Sequence, residues 1–215
     1  MQAYRAADAI ADKYGYHDLS ARIITMMQAT AARTGDELLG ATTTYVRTES
    51  FFASGELATG RKLLERTADA IDPFRSISAA ATYESLHMRA AVVAAKEYRP
   101  DAARAHFDEA AKIAVGVPES LYFGTAFGPA SVRIHQVSLG VEMGDAGAAL
   151  AAASDWAPPG QVPAERRSHF YIDVARAHML ARQHDNVRAA LHEAQSIAPQ
   201  HTGSHPLVKE MLTLL

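Results

Sequence analysis

Tyr171-Ile172-Asp173-Val174-Ala175-Arg176-Ala177-His178, then Arg182-Gln183-His184-Asp185-Asn186-Val187, then Leu191, Ala194 and Pro199 form the stretch whose reading decides the fold. Tyr171, Val174, Ala175 and His178 recur at the three- and four-residue spacing that places side chains on one face of an α-helix. Val187, Leu191 and Ala194 draw a second such stripe, and Pro199, which lacks an amide donor, stops it. Two antiparallel helices approach closely only where a small side chain faces the partner near the turn, with larger apolar residues one and two turns further along. This stretch has that composition, and it reads as one helix hairpin.

Working outward, the same turn followed by a small residue five positions on appears at Gly15–Ser20, Gly55–Gly60, Tyr98–Ala103, Gly144–Ala149 and Arg182–Val187. Successive turns lie 40, 43, 46 and 38 residues apart. The second-helix stripe returns as Ser20, Ile24 and Met27, as Gly60, Leu64 and Thr67, as Ala103, Phe107, Ala110 and Ile113, and most faintly as Ala149 and Ala153. The pattern resembles the tetratricopeptide unit, lengthened beyond its usual period of about 34 residues. The expectation is an all-α chain: a right-handed solenoid of about five tetratricopeptide-like helix hairpins plus a C-terminal capping helix. Residues 1–215 then form one helical-repeat domain, with units near 1–34, 36–72, 75–116, 127–157 and 163–199 and a cap at 205–215.

Helices are expected near 2–14, 18–33, 37–53, 57–71, 76–97, 101–115, 129–143, 145–154, 164–182, 185–198 and 206–215, with no strand. Glycine and proline mark the breaks between them, at Gly15, Gly35, Gly55, Pro73, Pro118, Gly144, Pro158-Pro159 and Pro199. Two connections, Val115–Phe127 and Ser154–Val162, are longer than turns, and such segments in repeat proteins tend to border a binding face. Leu207, Val208, Met211, Leu212 and Leu215 follow Pro206 as the apolar stripe of a terminal helix. The first repeat opens almost at Met1 with no capping element before Tyr4 and Ala7. A fragment, or a segment that normally covers this edge, is therefore expected.

Composition excludes several chemistries. Cysteine is absent, which removes disulfide scaffolds, thiol catalysis and zinc ribbons, and fits a cytoplasmic protein. No stretch approaches the roughly 20 apolar residues of a membrane span, and no membrane partner is expected. A formal net charge of -3 with interspersed signs leaves no basic stripe for nucleic acid. No His-Glu-x-x-His, Gly-x-Ser-x-Gly, P-loop or Gly-x-Gly-x-x-Gly pattern occurs, so no enzyme activity and no cofactor are expected. The ten histidines are dispersed. His201 and His205 are four apart, but Gly203 and Pro206 argue against a shared helical face, and no metal site is expected. His178, at an apolar repeat position, is expected to be a packed core histidine.

The runs Thr125-Ala126-Phe127-Gly128-Pro129-Ala130-Ser131-Val132-Arg133-Ile134-His135, Glu142-Met143-Gly144-Asp145, Glu165–Ala177 and Ile197-Ala198-Pro199 through His205-Pro206-Leu207-Val208 resemble the C-terminal region of actinobacterial helix-turn-helix regulators of the Xre type. In that family a small DNA-binding domain precedes a tetratricopeptide-like domain that senses a ligand or partner. The resemblance implies transcription regulation, with DNA met only through a separate helix-turn-helix domain absent from this sequence.

In such a repeat the first helices line the concave groove, and a ligand meets the side chains not used for packing. Register nominates His169, Ile172, Arg176 and Met179 from the last hairpin, and Tyr45, Arg47, Arg89, Arg133 and His135 from earlier ones. Arginine suits a peptide terminus or another anion through paired, charge-assisted donors, the alternative being that each pairs with a neighbouring Asp or Glu. The expected occupant is a peptide, protein or small-molecule ligand, with a homodimer or a scaffold without sensing as the other readings. Phe127-Gly128-Pro129 reads as a helix start, the alternative being a ligand lip.

Overall fold

The computed structural model describes residues 1–215 except for the side chain of Ala53. Its chain contacts divide into two compact units, Met1–Gly128 and Pro129–Leu215. The first holds α1 (Gln2–Lys13), α2 (His17–Thr34), α3 (Glu37–Ser54), α4 (Leu57–Asp69), α5 (Ile77–Lys96), α6 (Pro100–Ala114), β1 (Ser120–Tyr122) and β2 (Thr125–Phe127). The second holds α7 (Pro129–Glu142), α8 (Ala146–Ala153), α9 (Ala164–Leu180), α10 (His184–Ile197), α11 (Pro199–Ser204) and α12 (Pro206–Leu214). All eleven expected helices form, with ends displaced by no more than two residues.

The five repeated turns share one backbone device. Gly15, Gly55, Tyr98, Gly144 and Arg182 all adopt left-handed φ, between 58° and 78°. At four of them the next amide closes back onto the carbonyl five residues earlier: Tyr16 to Ala11, Arg99 to Ala94, Asp145 to Gly140 and Gln183 to His178, at 2.8–3.0 Å. This wrap satisfies carbonyls that a helix end leaves without partners and reverses the chain within about three residues. Asp36, Ser76 and Asp145 cap the following helices by accepting backbone amides.

The residue five positions after each of these turns is buried: Ser20, Gly60, Ala103, Ala149 and Val187. Within the first unit α1 packs on α2, α3 on α4 and α5 on α6, with α2 against α3, α4 against α5, and α3 against α5. Its core joins Ile24, Met27, Val46, Leu64, Leu86 and Val93. Within the second, α7 packs on α8 and α9 on α10, while α7, α8, α11 and α12 all contact α9. Two clusters fill it, one around Ile134, Val137, Ala149 and Phe170 and one around Ile172, Val187, Leu191, Val208 and Met211. Val208 and Met211 of α12 are buried in the second of these clusters.

Three expectations are corrected. The Val115–Phe127 connection is not all irregular: β1 and β2 pair antiparallel with Ser120 opposite Phe127 and Tyr122 opposite Thr125. Phe123 and Gly124, both at positive φ (50° and 82°), form the two-residue turn, the conformation whose twist suits a tight hairpin. Pro199 ends α10 but also opens a twelfth helix, α11, because proline at a first helical position gives up no needed donor. His178 is half-buried and bonds through Nδ1 to Gln183 Oε1 at 2.7 Å, so it braces a turn and is not packed in the core. Phe127-Gly128-Pro129 is a helix start: Phe127 is buried, and a Cβ at Gly128 (φ 144°) would meet the Glu119 backbone at 2.5 Å.

Candidate functional site

In the second unit two polar stripes face each other across the first helices of its hairpins. His135, Ser138 and Glu142 lie at three- and four-residue spacing along α7, and Arg166, His169, Asp173 and Arg176 do so along α9. Arg166 Nη2 lies 3.4 Å from His135 Nδ1, the Ser138 hydroxyl donates to Asp173, and Arg176 Nη2 meets Glu142 Oε1 at 3.0 Å. Asp173 is fully buried and also accepts Arg176 Nη1 at 2.9 Å, with His169 Nε2 at 3.5 Å. Burial works to lower the pKa of Arg176, but the carboxylates of Asp173 and Glu142 outweigh it and hold the guanidinium above its ordinary value.

One end of this stripe runs into a group of histidines. His169 on α9, His201 on α11 and His205 at the α11–α12 junction bring one ring nitrogen each to within 4.8 Å of one another. Their ring centroids are 5.4–6.1 Å apart. Buried Ser168 Oγ sits 2.9 Å from Thr202 Oγ1 and 3.1 Å from His201 Nδ1, which fixes the His201 ring, and Glu165 Oε1 lies 3.9 Å from its Nε2.

A corresponding row crosses the first helices of the first unit. Arg5 bonds Asp8 at 3.2 Å, Ser20 donates to Asp8 at 2.7 Å, and Glu49 lies 3.9 Å from Arg5 and 3.2 Å from Arg89. Arg89 also stacks over the Tyr45 ring at 4.2 Å. Burial raises the carboxyl pKa values of Asp8 and Glu49, and the flanking arginines only partly offset it. Two hollows open on this unit. One of about 840 Å³ is lined by Ile71, Phe74, Ile77, Tyr83 and Val117, and another of about 470 Å³ by Arg5, Met27, Leu39 and Phe123.

The nominated residues divide by environment. Arg176, His135 and His169 join the α7–α9 stripes, and Tyr45 and Arg89 join the row in the first unit. Arg47 is exposed, 5.9 Å from the Phe51 ring. Arg133 closes the α7–α8 hairpin, donating to the carbonyls of Ala152 and Ser154 at 3.0 Å and lying over Trp156 at 4.9 Å. Ile172 sits one position before Asp173, and Met179 lies three residues after Arg176, half-buried. Ile172 is fully buried and Met179 packs on the same cluster, so both are packing residues. Arg89 and Arg176 are paired with neighbouring acids, as the alternative reading of these arginines held.

Sequence reasoning missed Glu49, Ser138, Glu142 and Asp173, and it treated the histidines as dispersed. The available signal was the spacing of polar residues along α7 and α9, Ser138 with Glu142 and Asp173 with Arg176, on helices otherwise read by their apolar faces. Fold and site together define a mostly helical protein of paired helices with ion-paired residues on the first helices of its hairpins. No family model, no curated protein and no solved structure matches the chain. Among the described residues, no helix is long and apolar enough to cross a membrane.

Proposed function

We propose that the hairpins are tetratricopeptide-like repeats of a right-handed solenoid, and that the chain is the ligand- or partner-binding part of a transcriptional regulator. The ligand, a peptide or another molecule carrying an anionic group, meets the charged faces of the first helices. The observation that carries this reading is the polar row on α7 and α9, where Arg176 keeps 20% of its side chain exposed between Glu142 and Asp173. Placing charges there costs desolvation that an apolar pair would avoid, so a row of them is a feature of binding more than of stability. A carboxylate ligand competes with Glu142 for the guanidinium, whose fork donates to two oxygens. DNA contact belongs to a separate helix-turn-helix domain, as the resemblance to Xre-type regulators implies.

The test is selection of binders from a degenerate linear peptide library against the purified chain, followed by titration of the selected peptides. Glu142→Gln, which leaves Arg176 with Asp173 and opens one edge of the guanidinium, should tighten binding of acidic termini several-fold. Arg176→Gln should weaken it at least tenfold while far-UV circular dichroism is preserved. Selected peptides indifferent to both changes, or an empty selection, would sink the proposal. Binding without any change in small-angle scattering would indicate a scaffold in place of a sensor.

A further inference from the structure

We propose that His169, His201 and His205 form a binding site for a divalent transition-metal ion of the zinc class. The inference is independent of the ligand reading above. Three imidazoles from two sides of one helix junction converge, and each offers a ring nitrogen within 4.8 Å of the others. An ion held by nitrogens at about 2.0–2.1 Å in tetrahedral geometry needs them roughly 3.4 Å apart. The closure required is on the order of 1 Å, within reach of side-chain rotation about a junction where His205 carries extended backbone (φ -68°, ψ 124°) between two short helices.

The surroundings are those of a metal centre and not of a chance contact. Metal-ligating imidazoles are oriented by outer partners that grip the ring and polarise it. His201 is buried with Ser168 Oγ against Nδ1, and Ser168 is itself tied to Thr202. His169 has the fully buried carboxylate of Asp173 at 3.5 Å. Glu165, 60% exposed and 3.9 Å from His201 Nε2, is within a rotamer change of supplying an oxygen as fourth ligand, and a water molecule is the other choice. A set of three imidazoles completed by a carboxylate or water selects zinc, cobalt, nickel or copper over magnesium or calcium, which want oxygen. Bound there, the ion ties the α11–α12 segment to α9, so occupancy and the docking of the C-terminal helices are linked.

The experiment is calorimetric titration of ZnCl2 into the chain, prepared without a histidine tag, together with the visible absorption of its Co2+ form. One ion per chain is expected, with the intense absorption of a tetrahedral cobalt centre and a rise in Tm that grows with ion concentration. His205→Ala and His169→Gln should each weaken the ion by roughly 100-fold or more and abolish the cobalt spectrum. His192→Ala, on the exposed face of α10, should change neither. Binding well below one ion per chain, or stoichiometric binding kept by both His205→Ala and His169→Gln, would overturn the proposal. Circular dichroism of the metal-free variants separates loss of ligands from loss of fold.

Discussion

Glu142 on α7 and Arg176 on α9 meet at 3.0 Å, and Asp173, fully buried one turn before Arg176, holds the other guanidinium nitrogen at 2.9 Å. Removing the arginine leaves the Asp173 and Glu142 carboxylates in a low-dielectric setting without this cationic partner. Arg176→Ala should therefore cost about 3 kcal/mol or more, whereas Glu142→Gln, which spares the Asp173 pair, should cost about 1 kcal/mol. Urea midpoints with unchanged m-values measure both. A loss below about 1 kcal/mol for Arg176→Ala would mark the pair as energetically equivalent to a surface one.

Glu84, on the helix against which the β-hairpin packs, is 0% exposed, and neither of its oxygens has a hydrogen-bond partner. Burial pushes its carboxyl up to about 8. The folded protein keeps a proton there that the unfolded chain releases near the usual value of 4.5. The stability contributed by this neutral acid is complete below that value and is lost as pH rises toward about 8, at up to ~1.4 kcal/mol per pH unit. Glu84→Gln should flatten this part of the profile and leave the variant more stable than the parent at the alkaline end. Denaturation midpoints taken across the window decide it, and equal slopes in the two proteins would show that Glu84 does not titrate there.

Gly140 on α7 faces Ala149 on α8 so closely that a Cβ at position 140 would lie 2.8 Å from the Ala149 amide nitrogen and 3.0 Å from its Cα. Gly to Ala inside a helix gains about 1 kcal/mol of helix propensity, but overpacking against backbone costs about 1–3 kcal/mol. The clash should win, so Gly140→Ala lowers Tm. The same substitution at Gly40, which has no atom within 4 Å of its Cβ position, should raise it. Thermal melts of the two variants side by side give the comparison.

Tyr98 and Arg182 occupy turn positions with φ of 58°, the place held by glycine at the other three turns. A left-handed residue with a Cβ costs roughly 1–2 kcal/mol, partly returned by the smaller entropy loss of a non-glycine on folding. Tyr98→Gly and Arg182→Gly should therefore each stabilise by a few tenths to about 1 kcal/mol. Tyr98 is 92% exposed, so little packing is lost with it. A drop in Tm for both would mean that these side chains serve the turn in some other way.

Which parts of this molecule could be read in advance follows from the range of the forces involved. Helix positions, the five turns and the small residues behind them depend on neighbours three to five positions away, and the sequence carries those directly. Gly15, Gly55 and Gly144 announce their turns, and Ser20, Gly60, Ala103, Ala149 and Val187 announce where the hairpins close. The β-hairpin escaped because Phe123-Gly124 lacks the usual asparagine or aspartate signal and its strands are only three residues long. Ile172, one position before Asp173, is turned into the core and away from the polar face, since a helix face turns by about 100° per residue.

The sequence by itself determined a chain of paired helices, their lengths and the places where the chain turns, because local sterics and hydrophobic periodicity set these. Only the tertiary structure decided that Arg176 is held by Glu142 and Asp173, that Glu84 is buried alone, and that His169 meets His201 and His205. Those outcomes depend on which helix packs on which. The apolar stripes bring α7, α11 and α12 onto α9, and the polar residues carried along the same helices acquire their partners as a consequence of that packing.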